Sequence, residues 1–109
     1  MPALSTLEKV KCFEAYLAIE QPISDPFIDR AMMKLARREQ ARISALQRRL
    51  EDQIREFEQQ YALTSAEFFS RYQQGLMGDQ MDVIEWAATL DMLKALSPRL
   101  AILAQISSP

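Results

Sequence analysis

The chain has 109 residues, the size of one domain, and its 49% hydrophobic and 26% charged residues are ordinary for a globular protein. It contains no His, one Cys (Cys12) and two Gly. A His-based catalytic triad, a thiolate metal cluster and a glycine-rich phosphate loop are therefore excluded. We expect a protein that is not an enzyme and that holds no cofactor or metal.

The N-terminus lacks a basic stretch followed by an apolar run, and no 18 consecutive residues are apolar. We therefore expect a cytoplasmic protein without a membrane span. Ala, Leu, Gln, Glu, Arg and Met are abundant, and these residues favour helices. The sequence predicts an all-α single domain over residues 1–109. It has four to five helices, with one long central helix at about 27–61 and a C-terminal helical hairpin at 64–106.

The first predicted helix runs from about Thr6 to Glu20. Ser5 and Glu8 form a capping box at its start, in which each side chain bonds the other residue's backbone N–H. The apolar residues follow three- and four-residue steps, which predicts one buried stripe. Its members are Leu7, Val10, Phe13 and Leu17.

The long helix begins after Asp25, a suitable cap, with Pro26 in the first turn. Apolar residues recur along this helix at steps that average 3.67 residues, and only Glu39 interrupts the series. This period predicts straight or faintly right-handed packing against other helices. Thirty-five residues extend about 50 Å, longer than a compact domain of this size, so we expect a homodimer, parallel or antiparallel. The alternative is a hairpin that breaks near residues 39–41. The predicted dimer interface consists of Ile28, Met32, Leu35, Ile43, Leu46, Leu50, Ile54 and Phe57.

Further boundaries follow from capping signals. Thr64 with Glu67 predicts a second capping box and a helix over 65–74, and Gly75 suits the left-handed residue after a helix. Asp79 is the predicted cap of a fourth helix, with Trp86 as its core anchor. Pro98 ends or kinks that helix, and a short helix can restart at this proline. The apolar tail is expected to dock, and its candidate partner-binding residues are Leu100, Leu103 and Ile106.

The net charge of −2 conceals four blocks. Residues 1–29 carry −3, residues 30–50 carry seven basic and one acidic residue for +6, residues 51–91 carry −7, and the remainder carries +2. The basic block predicts either phosphate contacts or a solvated face that pairs with an acidic partner. The candidate nucleic-acid contacts are Arg30, Lys34, Arg37, Arg38 and Arg42.

The acidic block has three interpretations. Its carboxylates can solubilise helices and favour helix starts, or they can form a surface complementary to a basic cleft. A magnesium site formed by Asp79, Asp82 and Glu85 is the third. If the acidic block forms a surface complementary to a basic cleft, its candidate partner-binding residues are Glu58, Glu67, Asp82 and Glu85.

About 40 residues, from Phe57 to roughly Leu96, contain a recognisable pattern: a long helix that ends in Tyr, then Ser-x-Glu-Phe, Gly-x-x-Gly-Asp-x-x-Asp and Glu-Trp-Ala. The pattern resembles that of small all-helical prokaryotic proteins, several of which are similar to antitoxin components of two-gene toxin–antitoxin systems. The chain departs from it at Ala62, where many such proteins have Gly, and in its tail. The resemblance implies helix-packing roles for Tyr61, Phe68, Tyr72 and Trp86, and turn-forming roles for Gly75, Gly78 and Asp79.

Together these features predict a non-enzymatic protein–protein interaction module that forms a homodimer. We expect it to be the antitoxin of a pair, which neutralises a basic toxin through an acidic helical surface. A dimeric nucleic-acid-binding protein that uses residues 30–49, or a helical scaffold or assembly factor, is the alternative.

Overall fold

A computed structural model describes residues 2–108, and these residues form five α-helices with no strand among them. The helices are α1 (Thr6–Glu20), α2 (Pro26–Tyr61), α3 (Ser65–Gln73), α4 (Met81–Lys94) and α5 (Leu96–Ser107). The predicted all-α fold with one long helix is confirmed. None of the described helices is both long and apolar enough to cross a membrane.

The chain divides into two compact units, one that ends at Ala31 and one that begins at Met32. The first unit contains α1 and the first residues of α2. The second contains the rest of α2 and helices α3 to α5. Each unit is described separately below, and the single-domain organisation stays a prediction.

In the first unit, the predicted capping box of α1 is present. The Ser5 hydroxyl accepts from the Glu8 backbone N–H at 3.1 Å, and the Glu8 carboxylate accepts from the Ser5 N–H at 3.1 Å. The hydrogen bond that the Ser5 backbone N–H donates to the carboxylate, together with the nearby Ser5 hydroxyl, lowers the pKa of the Glu8 carboxyl below its ordinary value. The predicted buried stripe is wrong, because α1 has no buried residue. Leu17 is half-buried, whereas Leu7, Val10 and Phe13 are exposed.

Helix α2 starts as predicted. The Asp25 carboxylate accepts from the backbone N–H groups of Phe27 and Ile28 at 3.0 and 3.2 Å, and Pro26 is the first helical residue. The helix is unbroken over its 36 residues, so the alternative hairpin near residue 40 is wrong. It ends at Tyr61, after which Ala62 is left-handed at φ 52° and the Leu63 N–H donates to the Glu58 carbonyl at 3.2 Å.

In the second unit, the packed face of α2 follows alternating steps of four and three residues. The predicted series is also buried or half-buried from Glu39 to Tyr61, so it lies within this face, and the predicted 3.67-residue period and packing hand stay predictions. Met32 and Leu35, which belong to the predicted series, are exposed, because α5 ends beside Gln40 and this unit has no further helix to cover them. The buried or half-buried residues at these steps are Ala36, Gln40, Ile43, Gln47, Leu50, Ile54, Phe57 and Tyr61.

An aromatic cluster joins the end of α2 to α3 and α4. Trp86 and Phe68 are fully buried and stack with ring centroids 3.8 Å apart. Phe57 and Tyr61 of α2 stack on the same indole at 5.8 and 5.7 Å. The predicted anchor role of Trp86 is confirmed. Tyr72 lies 5.6 Å from Phe68 but at the surface of the cluster.

The turn between α3 and α4 depends on left-handed residues. Gly75 has φ 72°, and the backbone N–H groups of Gly75 and Leu76 donate to Tyr72 and Arg71, which is a Schellman motif. The prediction for Gly75 is confirmed. The predicted role of Asp79 as the cap of α4 is wrong. Gln80, one residue later, is the cap, and its side chain makes no capping hydrogen bond.

Helix α5 packs antiparallel along α2. Leu96 is buried with Ile43 and Leu50, and at the other end Gln40 Nε2 donates to the Ser107 hydroxyl at 3.0 Å. The helix begins at Leu96, so Pro98 lies in its first turn, where no intrahelical donor is needed. The apolar tail therefore docks on the chain's own long helix.

We predict that Ala62→Gly raises the free energy of unfolding by up to about 1 kcal/mol, because glycine removes the cost of a left-handed alanine. The matched control is Ala45→Gly on the exposed side of α2. That change should lower stability by about 1 kcal/mol, since it places glycine inside a helix. Urea denaturation measures both. A loss of stability in Ala62→Gly contradicts the assigned backbone conformation.

Candidate partner-binding surfaces

The four predicted acidic contacts do not form one surface. Glu58 is half-buried and caps α3, accepting hydrogen bonds from the Ser65 N–H at 2.8 Å and the Ser65 hydroxyl at 3.0 Å. Asp82 is half-buried and accepts from Gln60 Nε2 at 3.1 Å. Glu67 and Glu85 are exposed, and their carboxylates make no hydrogen bond to the described residues. These last two are the acidic groups that a partner can reach without breaking a bond.

Glu85 lines an open groove between α2 and α4, with a volume of about 570 Å³. Glu56 lies on the α2 side, and Phe57 and Met92 contribute apolar surface. This combination suits a long basic side chain, whose apolar stem and charged end would both find matching surface. The sequence analysis did not single out Glu56 or Met92. Their common location follows from the packing of α2 against α4, which no local motif specifies.

The predicted tail contacts are mostly used inside the chain. Leu100 and Leu103 are half-buried against the cluster of Ile43, Leu50 and Leu96, and Ile106 is 44% exposed. Leu100 and Leu103 are therefore core residues of this chain. Of these three residues, Ile106 is the one that presents a substantial apolar surface.

The predicted dimer residues fall into two groups. Ile43, Leu50 and Ile54 are buried by the chain itself, and Leu46 and Phe57 pack against its core clusters. Ile43, Leu50 and Ile54 therefore offer no free surface to a second copy in this fold, and the half-buried Leu46 and Phe57 offer only part of theirs. The remaining three are half-buried or exposed: Ile28, Met32 and Leu35.

Helix α1 carries large apolar side chains without cover. We call these residues the N-terminal apolar surface, and their exposed fractions run from 45% to 81%. Phe13 and Tyr16 contact each other, with ring centroids 5.9 Å apart. Cys12 is exposed on the same helix. The surface consists of Leu7, Val10, Phe13, Tyr16 and Ile19.

The second unit presents six basic residues on the solvent side of α2. We call them the basic face, and all six are exposed, whereas the opposite side of the helix is buried against α4 and α5. Ala41 and Ala45 are exposed among them. Arg30 of the predicted set is also exposed but belongs to the first unit. The basic face consists of Lys34, Arg37, Arg38, Arg42, Arg48 and Arg49.

One member of the basic face is neutralised by an acidic residue. The Arg42 Nε donates to the Glu39 carboxylate at 2.6 Å. That bond, the charge of Arg42 and the charge of Arg38 hold the pKa of the Glu39 carboxyl below its ordinary value. The other salt bridge among residues 2–108 joins Arg55 to Asp52, outside the face. Five of the six cations thus have no acidic partner in the described part of the chain.

Residues 2–108 contain no group of three or more Cys, Asp or Glu side chains placed to hold a metal ion. Comparison with protein-family models, curated proteins and solved structures gives no match.

We predict that Glu58→Ala lowers the free energy of unfolding by about 1–2 kcal/mol, because it removes the acceptor of two hydrogen bonds at the start of α3. Glu67→Ala is the matched control, and it should change stability by less than about 0.5 kcal/mol because its exposed carboxylate has no partner. Thermal and urea denaturation test this difference. Equal effects of the two changes contradict a structural role for Glu58.

We also predict a lowered carboxyl pKa for Glu39 that returns toward its ordinary value in Arg42→Gln. A depressed carboxyl pKa contributes stability above the ordinary value near 4.5, and this contribution disappears as the pH falls through the lowered pKa. Carbon-detected NMR titration of the Glu39 carboxyl measures the shift. Arg48→Gln, which leaves this pair intact, is the control and should not move it.

Proposed function

We propose that the chain is a non-enzymatic protein–protein interaction module that binds its partner through the N-terminal apolar surface. The observation that carries this proposal is that α1, a 15-residue helix, has no buried residue although five of its large apolar side chains face solvent. Isolated helices of this length are marginal in water. A partner that covers the helix supplies the stabilisation that the chain itself does not.

The energy available to such a partner is considerable. Complete burial of one large apolar side chain contributes about 1.5–3 kcal/mol, and Phe13 and Tyr16 form an exposed aromatic pair, a residue type common at the centre of interfaces. Several large apolar side chains exposed on one helix, two of them in contact, are typical of an interaction site. These considerations favour a protein partner for α1.

The charge around α1 favours a basic partner. Residues 1–29 carry five acidic and two basic side chains, a net charge of −3. Opposite charge at the rim of an interface speeds association and suppresses unsuitable partners. In the second unit, Glu85 and Glu56 at the groove offer a further contact for a cation.

These features and the resemblance of residues 57 to about 96 support an antitoxin that neutralises a basic toxin in the cytoplasm. In this mechanism, apolar residues of α1 are buried against the toxin, and carboxylates occupy its cationic site. Self-association through the exposed residues Met32 and Leu35 is part of the proposal. A scaffold or assembly role would use the same surface without relieving toxicity.

The test is co-expression of the full chain with the product of the neighbouring gene. We predict that Phe13→Asp reduces co-purification at least tenfold and abolishes relief of toxicity, because it places a charge in the apolar contact. Ala15→Asp introduces the same charge into the same exposed helix, outside the apolar stripe, and should retain both properties.

If neither chain retains the other and toxicity persists with the unaltered protein, the antitoxin proposal is wrong. If the two chains co-purify equally with Phe13→Asp, another surface makes the contact. Sedimentation of the full chain at micromolar concentration tests self-association, and a monomer there contradicts it.

A further inference from the structure

We infer that the basic face of α2 binds double-stranded nucleic acid through its phosphate backbone. This inference uses residues of the second unit and does not depend on the contact proposed for α1. It rests on the accumulation of unpaired cations, on the shape of the face and on what surrounds it.

The basic side chains repel one another, and few acidic side chains nearby offset their charge. Six basic residues lie between residues 34 and 49, a distance of about 22 Å along the helix, and the one acidic residue in this stretch pairs with Arg42. Such a concentration of one sign creates a strong local potential that attracts polyanions. Duplex DNA carries one negative charge per 1.7 Å of axis, or about a dozen over the same length.

The shape of the face permits close approach to a phosphate backbone. Ala41 and Ala45 are exposed between the basic residues, so no bulky side chain stands above the guanidinium groups. Five of the six cations are arginines, whose planar groups donate two parallel hydrogen bonds to phosphate oxygens. Long side chains at three- and four-residue spacings on one helix side can contact several phosphates together.

The surroundings argue against the other anionic ligands. Protein interfaces depend on clusters of buried aromatic or aliphatic anchors, whereas between residues 34 and 49 Leu35 is the one large apolar side chain exposed beside the cations. A helix that lies in a membrane surface inserts its apolar side, but from Ala36 onward the apolar side of α2 opposite these cations is covered by the chain's own helices, which leaves only Met32 and Leu35 exposed in this unit's part of the series. Single-stranded nucleic acid is typically held by exposed aromatic side chains, which are absent between residues 34 and 49. A duplex is the ligand that remains.

The experiment measures binding of the full chain to a fluorescent 20-base-pair DNA duplex of mixed sequence, by anisotropy at 50 and 200 mM NaCl. We expect micromolar binding at 50 mM that weakens steeply at 200 mM. Arg37→Gln with Arg38→Gln should lower the affinity about tenfold and reduce the slope of log affinity against log salt by about 2. Circular dichroism verifies that the helical content is unchanged.

The matched control combines Arg71→Gln with Arg99→Gln, two exposed arginines outside the face, and should bind as the unaltered chain does. A duplex RNA of the same length should also bind, because both backbones offer phosphates. Equal loss in the two double variants overturns the inference, as does absence of binding at 50 mM NaCl. So does equal or tighter binding of single-stranded DNA, polyglutamate or vesicles of phosphatidylserine and phosphatidylcholine at 1:3.

Discussion

The stacking of Trp86 on three other rings determines how the second unit is arranged. Phe57 and Tyr61 approach the indole from the end of α2, and Phe68 approaches it from α3. The buried indole N–H has no acceptor among residues 2–108, and an unsatisfied buried donor costs about 1–3 kcal/mol. Three aromatic contacts at about 0.5–1.5 kcal/mol each, added to complete burial of the side chain, outweigh that cost. The cluster therefore holds α4 against α2, and α4 directs α5 back along the long helix.

This arrangement leaves α2 with two different sides. Its buried side is used by the chain's own helices, so Leu50 and Leu100 stabilise the fold and are not available to a partner. Its opposite side carries the basic face, with Ala41 and Ala45 between the cations and the exposed Leu35 beside them. Interaction with other molecules is therefore left to the surfaces that the fold does not cover, namely the solvent side of α2, the groove beside Glu85 and the exposed apolar residues of α1.

Local signals in the sequence predicted the helices well because capping depends on neighbouring residues. Ser5, Asp25 and Gly75 act at helix ends as their positions indicated, and Thr64 caps α3, although the Glu67 carboxylate does not complete the predicted capping box. The burial pattern was less predictable, since it depends on which helix packs where. The apolar stripe of α1 looks like a core face, yet the chain does not bury it.

The candidate binding surfaces were also hard to predict from the sequence, because they depend on how the helices pack. In the sequence, Glu58 resembles an exposed acidic contact residue. Only its hydrogen bonds to Ser65 in the folded chain show that its carboxylate caps α3. Glu56 and Glu85 are 29 positions apart, and helix packing places both at one groove. The basic stretch was visible in the sequence because a single helix carries it. What the fold adds is that the buried residues lie on the other side, so the cations share one accessible face.

Segregation of charge allows the two proposed interactions to coexist on one small chain. At physiological salt, the interaction of exposed charges is largely screened beyond about 8 Å. The basic face ends at Arg49, and the next acidic residues, Glu51 and Asp52, begin about one helical turn from Arg48. Near that end the acidic block weakens phosphate binding, whereas Lys34 and Arg37 lie about 20 Å or more from Glu51 along the axis. A nucleic acid is thus held most strongly toward the N-terminal end of the face, away from the groove at Glu85.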